Sequence, residues 1–196
     1  MSGRNPYVHD KATRLAKQRG YPARSVFKLA EIDRRVGLMR GVRRVLDLGA
    51  APGSWSLYAA QRIGPEGVVV AVDQTPIDQH FPDSVRTVVG DVRQLALEVL
   101  AEFGPYDVVL SDMAPSTSGA RSADQYRSYE LFSCALGLAH TLGKPGSKFV
   151  GKLFMGGEFE RARADLSAGY AEVKVIRAEA TRSRSSELFL VGLGRR

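Results

Sequence analysis

Residues 45–55 have the sequence Val-Leu-Asp-Leu-Gly-Ala-Ala-Pro-Gly-Ser-Trp. The apolar run that ends at Leu48 predicts a buried strand, and the small residues after it predict a tight turn into a helix from Ser54 to Ile63. Small residues let the backbone approach a ligand closely, and a helix N-terminus offers N–H donors. The stretch therefore predicts a nucleotide-type ligand. It lacks the second glycine of the dinucleotide pattern, which disfavours NAD.

Strands and helices alternate on both sides of this stretch. We predict strands at 44–48, 68–72, 85–89, 106–110, 148–154, 173–177 and 188–193, and helices at 22–36, 54–63, 92–103, 124–142 and 158–166. Apolar strands separated by helices are typical of a parallel sheet covered on both faces. The last two strands have no helix between them, which predicts an antiparallel edge. We therefore expect a Rossmann-like α/β fold with a seven-stranded, mostly parallel sheet.

The composition indicates one ordinary domain, because the 196 residues are 44% hydrophobic and 25% charged. We divide the chain into a basic arm at 1–20 and a single domain at 21–196. No apolar run reaches the roughly 18 residues of a membrane span, and the polar N-terminus is unlike a secretory signal. Cys134 is the single cysteine, and the histidines have no metal-ligand spacing, so we expect neither disulfides nor a metal. These features predict a cytoplasmic protein.

Positive charge is concentrated at the N-terminus. The formal net charge is +7, and the first thirty residues hold seven Lys or Arg against one acid, Asp10. Lysine and arginine gain affinity for nucleic acids by releasing the counterions of phosphates. Tyr7, Tyr21 and Phe27 lie among these charges and are suited to stacking on bases. The pattern favours an RNA-contacting platform, and a solvated arm is the alternative.

Carboxylates follow three consecutive predicted strands. Asp47 closes the first, Asp73 the second and Asp91 the third. A carboxylate about 20 residues after the glycine turn is placed to accept both ribose hydroxyls of an adenosine, and Asp91 is placed to accept an adenine amino hydrogen. Asp91 is equally suited to capping the next helix. Three acids would repel a diphosphate and tolerate a sulfonium, so we expect S-adenosylmethionine (SAM) instead of NAD.

Four further charged residues are candidates for catalysis: Lys28, Asp112, Lys152 and Glu187. Lys152 lies inside an apolar strand, where a charge is costly unless it is paired. Asp112 ends the neighbouring strand and is the expected partner. A lysine that only extends to the solvent at the strand end is the alternative.

Five blocks of the chain resemble the FtsJ/RrmJ (RlmE) family of ribose 2′-O-methyltransferases. They have the order and spacing of the family's motifs between Tyr7 and Arg195, and they lie at 25–32, 47–56, 111–115, 149–154 and 182–187. The resemblance implies a SAM-dependent methyltransferase fold. It departs from the family at three positions, where Ser54 replaces a frequent Gly, Gly151 a frequent Val and Phe189 a frequent Tyr.

The resemblance also implies a substrate and a set of site residues. The family's catalytic tetrad falls on Lys28, Asp112, Lys152 and Glu187, and its bacterial members methylate a uridine ribose in the A-loop of 23S rRNA on the assembled 50S subunit. We therefore expect RNA as the partner, with no role for DNA or membranes, and a monomer. We expect the cofactor to contact Asp47, Gly49, Ala50, Pro52, Gly53, Trp55, Asp73, Asp91 and Asp112.

The chemistry of Lys152 stays open at this point. A deprotonated Lys152 would act as the general base for the 2′-hydroxyl, whereas a charged one would stabilise the developing alkoxide and pass the proton to Asp112. Alternative functions are 2′-O-methylation of tRNA, methylation of a base nitrogen, an NAD-dependent oxidation, and RNA binding in ribosome assembly without catalysis. The Asp-Met-Ala-Pro sequence at 112–115 disfavours base methylation, because enzymes acting on exocyclic amines usually carry a polar-Pro-Pro-aromatic run there.

Overall fold

The computed structural model describes residues 11–116, 118–181 and 185–196. Its helices are α1 (Lys11–Gln18), α2 (Val26–Val36), α3 (Ser54–Ala60), α4 (Leu97–Ala101), α5 (Arg121–Leu142) and α6 (Phe159–Gly169). Its strands are β1 (Arg44–Leu48), β2 (Val68–Asp73), β3 (Val85–Val89), β4 (Tyr106–Ser111), β5 (Gly143–Phe154), β6 (Tyr170–Ile176) and β7 (Glu187–Arg195). No helix in the described ranges is long and apolar enough to span a membrane.

The strands form one mixed sheet in the order β3-β2-β1-β4-β5-β7-β6. Neighbours among β1 to β5 are parallel, as expected where helices make the crossovers. β7 is antiparallel to both β5 and β6, so it lies inside the sheet and β6 forms the edge. The strand order reverses direction between β1 and β4. The switch point of the sheet therefore lies where β1 ends and the glycine-rich turn begins.

Both faces of the sheet are covered, and alternate residues of each strand serve opposite cores. On β1, Val45 packs in the core with residues of α1, α2 and α3, whereas Leu46 packs in the core with residues of α4, α5 and α6. The central strand β4 is buried throughout. This two-sided burial explains why the strands are nearly continuous apolar runs in the sequence.

Helix α4 is shorter than the sequence pattern predicts. The helix expected at 92–103 is confined to Leu97–Ala101, and the residues before it form a turn in which Gln94 and Leu95 donate to the carbonyl of Asp91. Ala96 is extended, with φ −60° and ψ 130°, which separates the turn from the helix. Leu95 packs close to Gly90, so a local tertiary contact overrides the helical pattern.

The N-terminal arm contains a helix instead of a loose segment. Residues 1–10 lie outside the described residues, but α1 begins at Lys11, and Ala16 on it is fully buried in the core. Tyr21, predicted to stack on bases, donates its hydroxyl proton to Gln61 at 2.6 Å. The described part of the arm is therefore anchored to the domain.

Candidate active site

Lys152 and Asp112 meet where β4 and β5 end. The Lys152 ammonium donates to an Asp112 carboxylate oxygen at 3.0 Å and also to the Asp112 main-chain carbonyl. Only 7% of the lysine side chain is exposed, so the charge is compensated inside the protein. The predicted pair is present, and a lysine reaching out to the solvent is not what the structure has.

A second ion pair joins Lys28 of α2 to Glu187 at the start of β7. Their charged atoms are 2.6 Å apart, and both side chains are largely buried. Thr181 donates its hydroxyl to the same Glu187 oxygen at 3.1 Å, and the Lys28 ammonium lies 5.8 Å from the centre of the Phe189 ring. The glutamate therefore has two donors that fix its position.

Both pairs lie at one edge and on one face of the sheet. β7 runs antiparallel to β5, so its first residue is beside the last residues of β5. Lys152 is the direct partner of Phe189, and Glu187 is two residues away from Phe189, which puts the side chains of Lys152 and Glu187 on the same face. The four residues of the predicted tetrad come together as two adjacent pairs.

A cleft of about 290 Å³ opens beside the tetrad, at the switch point of the sheet. Four of the predicted cofactor residues line it: Gly49, Asp73, Asp91 and Asp112. Asp112 belongs to the cleft and to the tetrad, so a ligand in the cleft lies next to the catalytic candidates.

Two carboxylates of the cleft are held in position by hydrogen bonds. Asp73 accepts the amides of Ala51 at 2.9 Å and Thr75 at 2.8 Å. Asp91 accepts both ends of the Arg93 guanidinium, and this hydrogen bonding lowers the pKa of Asp91 to about 2. Asp91 also accepts the Arg93 amide at 3.0 Å, but it does not cap a helix, because α4 begins only at Leu97 and its N-cap residue is Ala96. Both carboxylates are therefore fixed in position at the cleft.

Asp47 is the least solvated acid of the site. It is fully buried, one oxygen accepts the Ser56 hydroxyl proton at 2.6 Å, and the other oxygen has no partner among the described residues. Burial raises the pKa of Asp47 to about 7, and the charges of Asp112 and Asp73 add to the shift. An unpartnered carboxylate beside two other acids fits a cationic cofactor, since a positive charge would relieve this electrostatic strain.

Five predicted cofactor residues do not line the cleft: Asp47, Ala50, Pro52, Gly53 and Trp55. Trp55 is buried and donates its indole N–H to the carbonyl of Ser25 at 2.9 Å, which ties α3 to the segment before α2. Gly53 packs against Phe81, whereas Ala50 and Pro52 lie beside it in the turn. These residues support the conformation of the glycine-rich turn from outside the cleft lining.

The structure adds residues that the sequence reasoning missed. Gln74, Thr75 and Met113 line the cleft directly after Asp73 and Asp112, so their position next to strand-end acids was an available signal. Leu131 of α5 also lines it. Thr181 supports Glu187 from a segment with no recognisable motif.

The three departures from the family pattern have local explanations. Ser54 exchanges two hydrogen bonds with the main chain of Ala23, at 2.8 and 3.1 Å. A side chain at Gly151 would meet the rings of Phe132 and Phe149 at 2.7 Å, so large aromatic residues fill that space. Phe189 is fully buried, with its ring centre 5.7 Å from that of Trp55.

The described residues contain no group of three or more His, Cys, Asp or Glu that could hold a metal ion. The acids of the cleft therefore form individual hydrogen-bond acceptors and not a ligand cluster.

The sheet order and the cleft at its switch point define the class as a Rossmann-like α/β protein, and solved structures of known proteins share this fold. A ribosomal RNA methyltransferase of Plasmodium falciparum has a similar structure, with a TM-score of 0.76, 21% identity and coverage of 89% of this chain and 98% of that chain. Aeropyrum pernix fibrillarin, solved with bound SAM, has a TM-score of 0.60 at 16% identity, covering 80% and 68% of the two chains.

The sequence comparisons identify the family. Residues 21–195 match the model of the FtsJ-like methyltransferases. The chain is 58% identical over 194 residues to the Sorangium cellulosum protein named ribosomal RNA large subunit methyltransferase E, covering 98% of this chain and 92% of that protein. The chain belongs to the FtsJ-like methyltransferase family. The predicted family, fold class and SAM dependence are confirmed.

Proposed function

We propose that the chain transfers a methyl group from SAM to the 2′-hydroxyl of a uridine ribose in 23S rRNA, within the A-loop of the assembled 50S subunit. The observation that carries the proposal is the arrangement of two buried ion pairs, Lys152 with Asp112 and Lys28 with Glu187, beside a cleft that contains Asp112. The large-subunit substrate is supported by the name of the relative from Sorangium cellulosum.

The cleft residues suit the parts of the cofactor. We assign the ribose hydroxyls to Asp73, the adenine amino group to Asp91 and the positive charges to Asp112, with Asp47 contributing from its buried position through electrostatics. Gly49 has φ +75° and lets the backbone come close to the ligand. When bound, SAM would supply a methyl group whose carbon the ribose oxygen attacks in line, while the sulfur leaves as a neutral thioether.

Lys152 and Asp112 handle the proton of the ribose hydroxyl. The Lys152 ammonium has three N–H donors, and the two acceptors of Asp112 leave one donor for the 2′-oxygen. A cationic Lys152 stabilises the negative charge that develops on this oxygen. The proton leaves the hydroxyl as the oxygen–carbon bond forms and passes to Asp112, directly or along the lysine–aspartate hydrogen bond. Of the two roles considered for Lys152, we propose the charged one.

Lys28 and Glu187 orient the ribose. Their contact fixes two charged groups on the face where the sugar has to enter. Holding the oxygen at attack distance from the methyl carbon is itself a large part of the rate, with effective molarities of about 10⁵ M or more in well-oriented systems. The pair therefore acts mainly by position.

The deciding experiment is tritiated-methyl transfer to three RNAs: 50S subunits that lack the modification, deproteinised 23S rRNA and bulk tRNA. We expect label in 50S subunits, and we expect Lys152→Ala to lower transfer by about 10²-fold or more while SAM still binds. Lys144→Ala is the matched control, since Lys144 lies on the same strand and also pairs with an aspartate, Asp107, at the other end of β5.

Each other outcome changes a specific part of the proposal. Label in tRNA would replace the substrate and keep the chemistry. SAM binding without any label would favour an RNA-binding assembly factor. An active Lys152→Ala variant would remove the role of the tetrad. We also propose that the chain acts as a cytoplasmic monomer, where the ribosomal subunits are, and light scattering of the purified protein tests the mass of the particle.

A further inference from the structure

A second basic cleft lies at the opposite edge of the sheet from the tetrad, which we call the distal groove. It is formed by the C-terminal part of α2, the following loop, Arg62 just after α3, and residues of β5, β6 and β7. Its basic residues are Arg34, Arg35, Arg40, Arg62, Lys148 and Lys174. Its two acids are Asp33 and Glu172, so positive charge dominates.

Both acids of the distal groove are already neutralised. Asp33 is paired with Arg62 at 3.4 Å, and Glu172 is paired with Lys174 at 3.1 Å. Arg35 is paired with Glu31, one turn earlier in α2. These pairs leave three cations: Arg34, Arg40 and Lys148.

The three remaining cations have no carboxylate in contact. Arg34 and Arg40 are exposed and form no ion pair with any described residue. Lys148 is partly buried, and its ammonium donates to the carbonyls of Gly37, Leu38 and Arg40 at the end of α2. Burial lowers the pKa of Lys148, and the three carbonyls take up all three N–H donors of its ammonium. Arg34 and Arg40 are therefore the two groove cations that are available to an external anion.

The distal groove is on the same face as the catalytic candidates. Lys148 and Lys152 are four residues apart on β5, so their side chains leave the same face, about 13 Å apart along the strand. α2 connects the two ends as well, since Arg35 follows Lys28 by seven residues, or about 10 Å of helix. A chain of phosphates entering the tetrad can extend over α2 into the groove.

We propose that the distal groove binds the phosphate backbone of the substrate RNA a few nucleotides from the methylated ribose. The proposal rests on the proposed function, because it takes the RNA at the tetrad as the molecule that reaches the groove. With one phosphate for roughly every 3.4 Å of a nucleic-acid strand, about 13 Å corresponds to about four nucleotides. The groove then supplies affinity without reading sequence.

The test compares two double variants with the same loss of charge. Arg34→Ala with Arg40→Ala removes the two exposed, unpaired groove cations. Arg86→Ala with Arg163→Ala is the control, because these exposed arginines lie on β3 and α6, away from the groove. Binding to unmethylated 50S subunits and to deproteinised 23S rRNA is measured between 0.1 and 1 M salt, together with methyl transfer at saturating RNA.

Losing two phosphate contacts lowers the slope of log affinity against log salt by about 1.4 to 1.8. The affinity that the variant loses relative to wild type is therefore roughly 30-fold larger at 0.1 M salt than at 1 M. We expect this for the groove variant, with SAM affinity and saturated turnover unchanged, and a much smaller effect for the control. Equal slopes for the two double variants would overturn the proposal while wild-type methylation of 50S subunits kept the proposed function intact. A wild type that neither binds nor labels RNA would end both.

Discussion

Replacing Asp47 with Asn tests whether this buried acid is a strained group of the site. The pKa of Asp47 is about 7 in the folded protein against a reference value of 3.8. Because the folded pKa is raised, the folded state binds more protons than the unfolded state between pH 4 and 7, and wild-type stability falls as pH rises through this window. Relative to a residue 47 that cannot ionise, the free energy of unfolding of the wild type is lower by about 2 kcal/mol at pH 5 and by about 4 kcal/mol at pH 8.

Asparagine cannot ionise, so the variant lacks this pH-dependent loss. Its amide NH₂ faces the site of the unpartnered Asp47 oxygen, and an unsatisfied buried donor costs about 1 to 3 kcal/mol at every pH. We therefore expect the stability of Asp47→Asn to lie within about 1 kcal/mol of wild type at pH 5 and to exceed it by about 1 to 3 kcal/mol at pH 8. The difference between the two pH values, about 2 to 3 kcal/mol, does not depend on the cost of the amide.

Urea unfolding followed by the fluorescence of Trp55 measures both free energies, since this single tryptophan is buried in the same domain. Asp83→Asn, at an exposed acid, is the control and should show little change with pH. A stability difference between Asp47→Asn and wild type that is the same at pH 5 and pH 8 would refute the reasoning, since it would mean that Asp47 ionises normally inside the fold.

Three further predictions concern the cleft and its surroundings. Gly49→Ala should weaken SAM binding and lower stability by about 1 to 3 kcal/mol, because a Cβ at Gly49 would meet Met113 at 2.7 Å. Gly64→Ala is the control in thermal melts, since Gly64 has nearly the same positive φ but open space around it, and it should show only the smaller backbone cost. Gly151→Val should lower stability by about 1 to 3 kcal/mol despite matching the family pattern, since Phe132 and Phe149 occupy the space, and calorimetry would measure it. SAM binding at pH 7 should release up to about half a proton, because a cation beside Asp47 lowers its raised pKa; titration calorimetry in buffers of different ionisation enthalpy would detect this, and release should disappear near pH 9.

The sequence was informative wherever one physical requirement acts along the chain. The bounds of β1 and β3 agree with the prediction, because apolar, β-branched runs between turn residues are hard to place in any other element. α4 was too long in the prediction because the packing of Leu95 against Gly90 is a contact that periodicity does not contain. The position of β7 between β5 and β6 also depends on pairing between distant segments.

The candidate site shows the same division. Asp73, Asp91 and Asp112 were predictable because a parallel sheet brings the ends of its strands to one edge. Which charges pair was not fully predictable, since the Lys28–Glu187 contact joins α2 to β7 across more than 150 residues of sequence. Trp55 was expected at the cofactor, but it does not line the cleft and instead donates its indole N–H to the carbonyl of Ser25, a contact that no motif predicts.

The burial pattern separates the two halves of the site by their electrostatics. The tetrad combines two cations and two anions in mutual contact, so it carries little net charge and can accept a neutral ribose. Asp73 and Asp91 line the cleft beside it, and Arg93 is the contacting cation of these two acids among the described residues. Asp47 is buried outside the cleft lining, and burial, together with the charges of Asp112 and Asp73, raises its pKa to about 7. A cationic ligand in the cleft would therefore reduce the repulsion among these acids. The same negative charge would repel RNA phosphates. We therefore place the phosphate contacts in the distal groove, at the C-terminal end of α2.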